Sequence, residues 1–122
     1  MRTPRDVVVW SAICVTTLHA YAWALAAPDA HADAVAYLVN VTVRPGYNFA
    51  NAQQALSYGN ALCDKVATGR NYAGLIGDVK SDFDIDDEYQ ASYLINQAVN
   101  ELCPQLIWQL RNSAAHYRPS PS

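Results

Sequence analysis

The chain has 122 residues, eight basic and eleven acidic side chains, a formal net charge of −3, and 52% hydrophobic residues. That size suits one domain with a modest core. No basic stretch is dense enough to follow a phosphate backbone, so no nucleic-acid partner is expected.

The first 32 residues read as a secretory leader. Arg2 and Arg5 precede an apolar run from Val7 to about Ala27, interrupted only by Ser11, Thr16, Thr17 and His19. Small-x-small sites follow at Ala24-Leu25-Ala26 and Ala30-His31-Ala32, the pattern a signal peptidase cuts. Cleavage after Ala32 is the preferred reading and cleavage after Ala26 the second. The rival is a retained anchor, because the run is just long enough to span a bilayer. The expected location is the cell envelope or the medium, with the membrane touched only through an uncleaved leader. Removing the first 32 of the 122 residues leaves 90, with six basic and nine acidic side chains, and discards Cys14. The remaining cysteines, Cys63 and Cys103, are an even pair in an oxidising compartment and read as one disulfide.

From Asp33 onward the pattern is helical, and no segment alternates apolar and polar long enough for a half-buried strand. The first element spans about Asp33 to Val43, with Asp33 as its cap and Val35, Leu38 and Thr42 on one face. Pro45-Gly46 breaks it with a turn. The second spans about Asn48 to Thr68, with Asn48 as its cap. Phe49, Ala52, Leu56, Gly59, Cys63 and Val66 recur at steps of three and four and form one stripe. Gly59 weakens that helix by about 1 kcal/mol relative to alanine, which predicts that another backbone packs closely there. Gly69 suits a left-handed C-terminal cap.

The third element, Tyr72 to Ser81, turns Leu75, Ile76 and Val79 inward. An acidic segment, Asp82 to Glu88, leads into a last long helix starting near Asp86. Its apolar face carries Leu94, Ile95, Ala98, Val99, Leu102 and Cys103. Asp86, Asp87 and Glu88 fall in its first turn, where carboxylates complement the helix dipole. Pro104 should break the helix, with a further apolar turn through Leu106, Ile107, Trp108 and Leu110. The Pro/Ser-rich end suggests a flexible tail over 111–122. The expected fold is all-α: a small bundle of four to five short helices over 33–110, stapled by one disulfide after an N-terminal signal peptide. A Cys63–Cys103 bridge closes a loop of about 41 residues, which stabilises the fold by roughly 4 kcal/mol through the entropy of the unfolded chain. A redox pair would stand two residues apart near a helix N-terminus, and these do not.

Tyr37-Leu38, the turn with Gly46, the run from Gly59 through Cys63 to Gly69, and Ala98 leading to Cys103-Pro104 together resemble a known set. The chain is similar to the small secreted proteins of the domain of unknown function 732 family, found chiefly in mycobacteria and their relatives. The resemblance covers about Asp33 to Pro104. It implies a compact helical fold, export and a Cys63–Cys103 bridge, and it implies no activity.

The residues themselves offer little catalytic machinery. His19 and His31 belong to the leader, which leaves His116 in the expected tail. A serine or cysteine nucleophile needs a histidine held by packing and by a third group. Zinc would have to draw on that one histidine, a disulfide and carboxylates. No cofactor is expected. Asp82, Asp84 and Asp86 alternate like the start of a calcium loop, but Asp87 and Tyr93 stand where glycine and glutamate are required. Weak divalent-cation binding through Asp82, Asp84, Asp86 and Glu88 is therefore the alternative reading. The tyrosines are expected to rim the small core, ring inward and hydroxyl wet. Tyr89 and Tyr93 share a helix face one turn apart, and Trp108 is the best exposed anchor. The preferred function is a non-catalytic interaction module binding an unidentified protein or envelope ligand through Tyr89, Tyr93 and Trp108. A small envelope enzyme is the third and weakest reading.

Overall fold

A computed structural model describes residues 33–119. The expectations about the leader and its cleavage, and those about residues 120–122, lie outside the described residues. Five α-helices follow in order: α1 (Ala34–Thr42), α2 (Ala52–Ala67), α3 (Tyr72–Phe83), α4 (Glu88–Leu102) and α5 (Ile107–Ala114), with a 3-10 turn at Pro104–Leu106 before the last. Among the described residues there is no strand, as the absence of period-two patterning predicts.

The helix starts follow side-chain capping. Asp33 caps α1 as expected, accepting from the Ala36 amide at 2.8 Å. The cap of α2 is Asn51, which accepts from the Gln54 amide at 2.8 Å, and not Asn48. Asn48 sits at φ +52, a left-handed conformation that cannot open a helix, so Phe49 belongs to the loop. Asn71 caps α3 and Asp87 caps α4, which leaves Asp86 outside the first turn of α4. α3 runs two residues past the expected end and stops at Asp84, itself left-handed at φ +51. Gly69, at φ +97, closes α2 as predicted.

α4 is the central helix and packs against α1, α2 and α3. The core gathers Tyr37 and Val41 from α1, Leu62 and Val66 from α2, Leu75 and Val79 from α3, and Leu94, Ile95 and Val99 from α4. The Asp33 backbone amide donates to the Glu101 carbonyl at 2.5 Å and fixes the start of α1 beside the end of α4. Gly59 is buried, as its place in the stripe requires, but what covers it is not a backbone. A Cβ there would stand 2.7 Å from Tyr37 Cζ, 2.8 Å from Tyr37 Oη and 2.6 Å from Leu102 Cδ1. Tyr37 is wholly buried, and its hydroxyl donates to the Ala55 carbonyl at 2.8 Å. Tyr47 is also buried and donates to the Gln90 carbonyl at 2.6 Å. Two of the tyrosines expected at a wet rim are therefore core residues, each with its hydroxyl satisfied by a backbone oxygen.

Cys63 and Cys103 are bonded and buried, with Cα atoms 6.1 Å apart, and tie α2 to the residue that ends α4. Pro104 breaks the helix there as predicted. α5 then runs on to Ala114, past the expected domain end at residue 110. Gln109 Nε2 donates to the Val66 carbonyl at 2.5 Å, and the Tyr72 amide donates to Ser113 Oγ at 3.1 Å. The Tyr117 ring stands edge-on to Tyr72 at 5.0 Å, and its hydroxyl donates to Glu88 at 2.8 Å. Residues 111–117 thus contribute packing and polar contacts, although the sequence reading placed them in a tail.

On α3, Asp78 accepts from Arg70 Nε at 2.6 Å and from Lys65 Nζ at 3.1 Å. The Arg70 bond, helped by Lys65 and opposed by partial burial, holds the Asp78 carboxyl below its ordinary 3.8. The stability this gives is fully present above that ordinary value and is lost as pH falls through the depressed one. Urea unfolding of Asp78→Asn against wild type should show a gap of about 0.5–1 kcal/mol at neutral pH that closes in acid. A gap that stays constant down to about pH 2 would refute this assignment.

Candidate binding cleft

The loop between α1 and α2 builds the site. Gly46, at φ +113, presses so closely on Gln90 that any side chain would strike it. Gln90 Nε2 donates to the Pro45 carbonyl at 3.0 Å while its own carbonyl accepts from Tyr47. The loop is thereby fastened to the first turn of α4. Two positive-φ residues within three positions then turn Tyr47 inward and set Phe49 at the surface of the bundle.

Four aromatic rings meet there. Phe83, the last residue of α3, stands edge-on to Tyr47 at 5.5 Å, to Phe49 at 5.5 Å and to Tyr58 of α2 at 4.9 Å. Phe49 lies 6.0 Å from Tyr58 and 6.1 Å from Tyr47. These separations and tilts are the favourable ones for aromatic pairs. Beside them opens a cleft of about 520 Å³, walled by the four rings with Asn48, Ser57 and Asp82. That volume lies within the range of small-ligand sites, roughly 300–1,000 Å³. The Tyr58 hydroxyl donates to Asp82 Oδ2 at 2.8 Å. Burial, together with that bond and the Asp82 charge, pushes the Tyr58 phenol far above its usual range, so it remains a donor. Burial likewise lifts Tyr47 to about 12, although the nearby Arg44 charge pulls it down.

A second group adjoins the loop. The Arg44 guanidinium lies over the rings of Tyr93, at 4.2 Å, and Tyr89, at 4.9 Å. The two rings are 6.4 Å apart, and the Tyr93 hydroxyl donates to the Asn40 carbonyl at 3.3 Å. The structure therefore brings Tyr89 and Tyr93 together on one face and adds Arg44, which sequence reasoning missed. Trp108 does not join them. It is 70% exposed at the start of α5, beside Arg111, with most of the ~22 Å length of α4 between it and Tyr89.

The acidic segment separates into unrelated roles. Asp82 accepts from Tyr58, Asp84 ends α3, Asp86 is exposed in the loop, and Glu88 pairs with Lys80 and Tyr117. Desolvation raises the Glu88 carboxyl, but the bonds from Lys80 and Tyr117 outweigh it and hold the group below its ordinary value. Among the described residues no three histidine, cysteine or acidic side chains converge as a metal site would require, so the four carboxylates proposed for calcium do not form a cage. His116 stands exposed in the turn after α5.

The cleft itself was missed at the sequence level. Its signal was Tyr47 and Phe49 flanking Asn48 just after a Pro-Gly turn, with Phe83 at the foot of a helix, but no periodicity links them. A family model described as protein of unknown function (DUF732) matches residues 19–105, over two thirds of the chain and all of the cleft. No curated protein and no solved structure matches the chain. Among the described residues no helix is long and apolar enough to cross a membrane.

Proposed function

The chain belongs to the DUF732 family, described only as proteins of unknown function, and from that premise we propose an exported, non-catalytic binding protein that takes its ligand in the aromatic cleft. The observation that carries this reading is the convergence of four rings beside a carboxylate at a surface opening. Tyr58 takes Asp82 Oδ2 and leaves Oδ1 for a donor on the ligand. Such a site suits a planar or apolar group bearing an N–H, an O–H or a cation, since ring faces attract positive charge and the carboxylate accepts hydrogen bonds. Export is supported by the leader pattern and by the bonded cysteines. A non-catalytic role is supported by the exposed position of His116 in the turn after α5, since a catalytic histidine is held in place by its surroundings.

Tryptamine, an aromatic ring carrying an ammonium, tests the cleft directly. Added to the isotope-labelled protein, it should shift the resonances of Ser57, Tyr58, Asp82 and Phe83 saturably. Asp82→Asn, which keeps the shape and removes the charge, should weaken that binding about tenfold. Shifts scattered away from these residues, or an Asp82→Asn variant that binds like wild type, would refute the reading.

A further inference from the structure

We propose that Arg44 is a carboxylate-binding subsite at the end of the aromatic cleft, so that the ligand of this protein carries a carboxylate on an apolar body. The proposal deepens the cleft reading and in part rests on it. The Arg44 guanidinium rests over two tyrosine rings, which restricts its position before any ligand arrives. Its Nε is buried and has no hydrogen-bond acceptor. Among the described residues the ion pairs use Lys65, Arg70 and Lys80, and no carboxylate answers Arg44. A cation drawn partly out of water without an opposing charge is unfavourable, and ring faces offset only part of that cost. An arriving carboxylate supplies the missing charge in the paired geometry that a guanidinium fork favours.

Position joins this group to the cleft. Arg44 lines a cavity of about 160 Å³ with Val41, Thr42, Pro45, Asn48 and Phe49. Asn48 and Phe49 are also wall residues of the larger cleft. A ligand crossing these two shared residues meets Arg44 at one end and the rings with Asp82 at the other. Carboxylate is favoured over phosphate because Arg44 is the one cation lining this cavity, and a dianion calls for more positive charge than a single guanidinium provides.

The test compares 3-phenylpropionate with its neutral amide on the unaltered protein, following the Arg44 Nε–H resonance together with the ring signals of Tyr89, Tyr93, Tyr58 and Phe83. The acid should move the Arg44 and Tyr89/Tyr93 signals saturably and bind about tenfold more tightly than the amide. Arg44→Gln should bind acid and amide equally. Arg44→Lys, which keeps the charge and loses the fork, should fall between the two. Equal binding of acid and amide, or no response from either, would overturn the proposal and leave Arg44 as a fastener of the loop to α4. Movement of Arg44 with silent Tyr58 and Phe83 would keep the subsite and reject the cleft. Acid-independent movement of Tyr58 and Phe83 with a silent Arg44 would do the reverse.

Discussion

Replacing Cys63 and Cys103 together by alanine is expected to lower the unfolding free energy by about 4 kcal/mol. The two residues are 40 apart in sequence, and the bond forbids the unfolded chain every conformation in which they separate. Both are buried against the central helix, and alanine preserves most of that packing, so the crosslink itself supplies the effect. Set against the ~5–15 kcal/mol that holds a typical domain together, this is a large share. Urea unfolding of the double variant and of reduced wild type should agree, both with midpoints well below that of the oxidised protein. Midpoints unchanged by reduction would contradict the assignment. In the same series, the intact mass of protein recovered outside the cytoplasm should correspond to a chain starting at Asp33 and lighter by two hydrogens than its reduced form. A chain beginning at Met1 would mean that the leader is retained as an anchor, and free thiols would count against the bridge.

The second large effect lies where Tyr37 meets Gly59. Tyr37→Ala removes a wholly buried ring and should cost about 3–5 kcal/mol. Gly59→Ala is the sharper probe. Helix propensity alone would make it stabilising by about 1 kcal/mol. The new methyl, however, falls 2.7 Å from Tyr37 Cζ and 2.8 Å from an oxygen already committed to Ala55, and overpacking of that kind costs about 1–3 kcal/mol. The net expectation is destabilisation. In a Tyr37→Ala background the space is open, only the mobile end of Leu102 remains close, and Gly59→Ala should become neutral or stabilising. A double-mutant cycle by denaturant unfolding should therefore show coupling of about 1–3 kcal/mol. Additive effects would mean that the ring does not sit over this glycine.

What the sequence made legible was periodic or local. The α2 stripe carried Gly59, Cys63 and Val66 inward because steps of three and four return to one face of a helix. The same rule misled at Phe49, whose spacing fits the stripe although the chain there is not helical. The start of α2 was nonetheless written in Asn51 and Gln54. Asn51 accepts from the Gln54 amide, and the Gln54 side chain reaches back to the Ala50 amide at 2.6 Å. Tyr89 and Tyr93 were readable because they are one turn apart on one helix. Arg44 over their rings, and Phe83 against Tyr58, join residues that are distant in sequence, and only the assembled bundle brings them together. Residues 111–117 were misread for a similar reason. Their anchors are single side chains, Ser113 and Tyr117, with no repeating pattern to announce them.

The bond from the Asp33 amide to Glu101 limits when a leader could be cut away at Asp33. That amide is half of the peptide link joining Ala32 to Asp33. A peptidase grips its substrate as an extended strand, and a link whose nitrogen is already docked, one residue ahead of a helix, cannot be drawn into that shape. If a leader is removed at this link, the cut therefore belongs to the still-unfolded polypeptide. Such a cut would precede the moment when α1 settles on α4 and the two sulfurs meet.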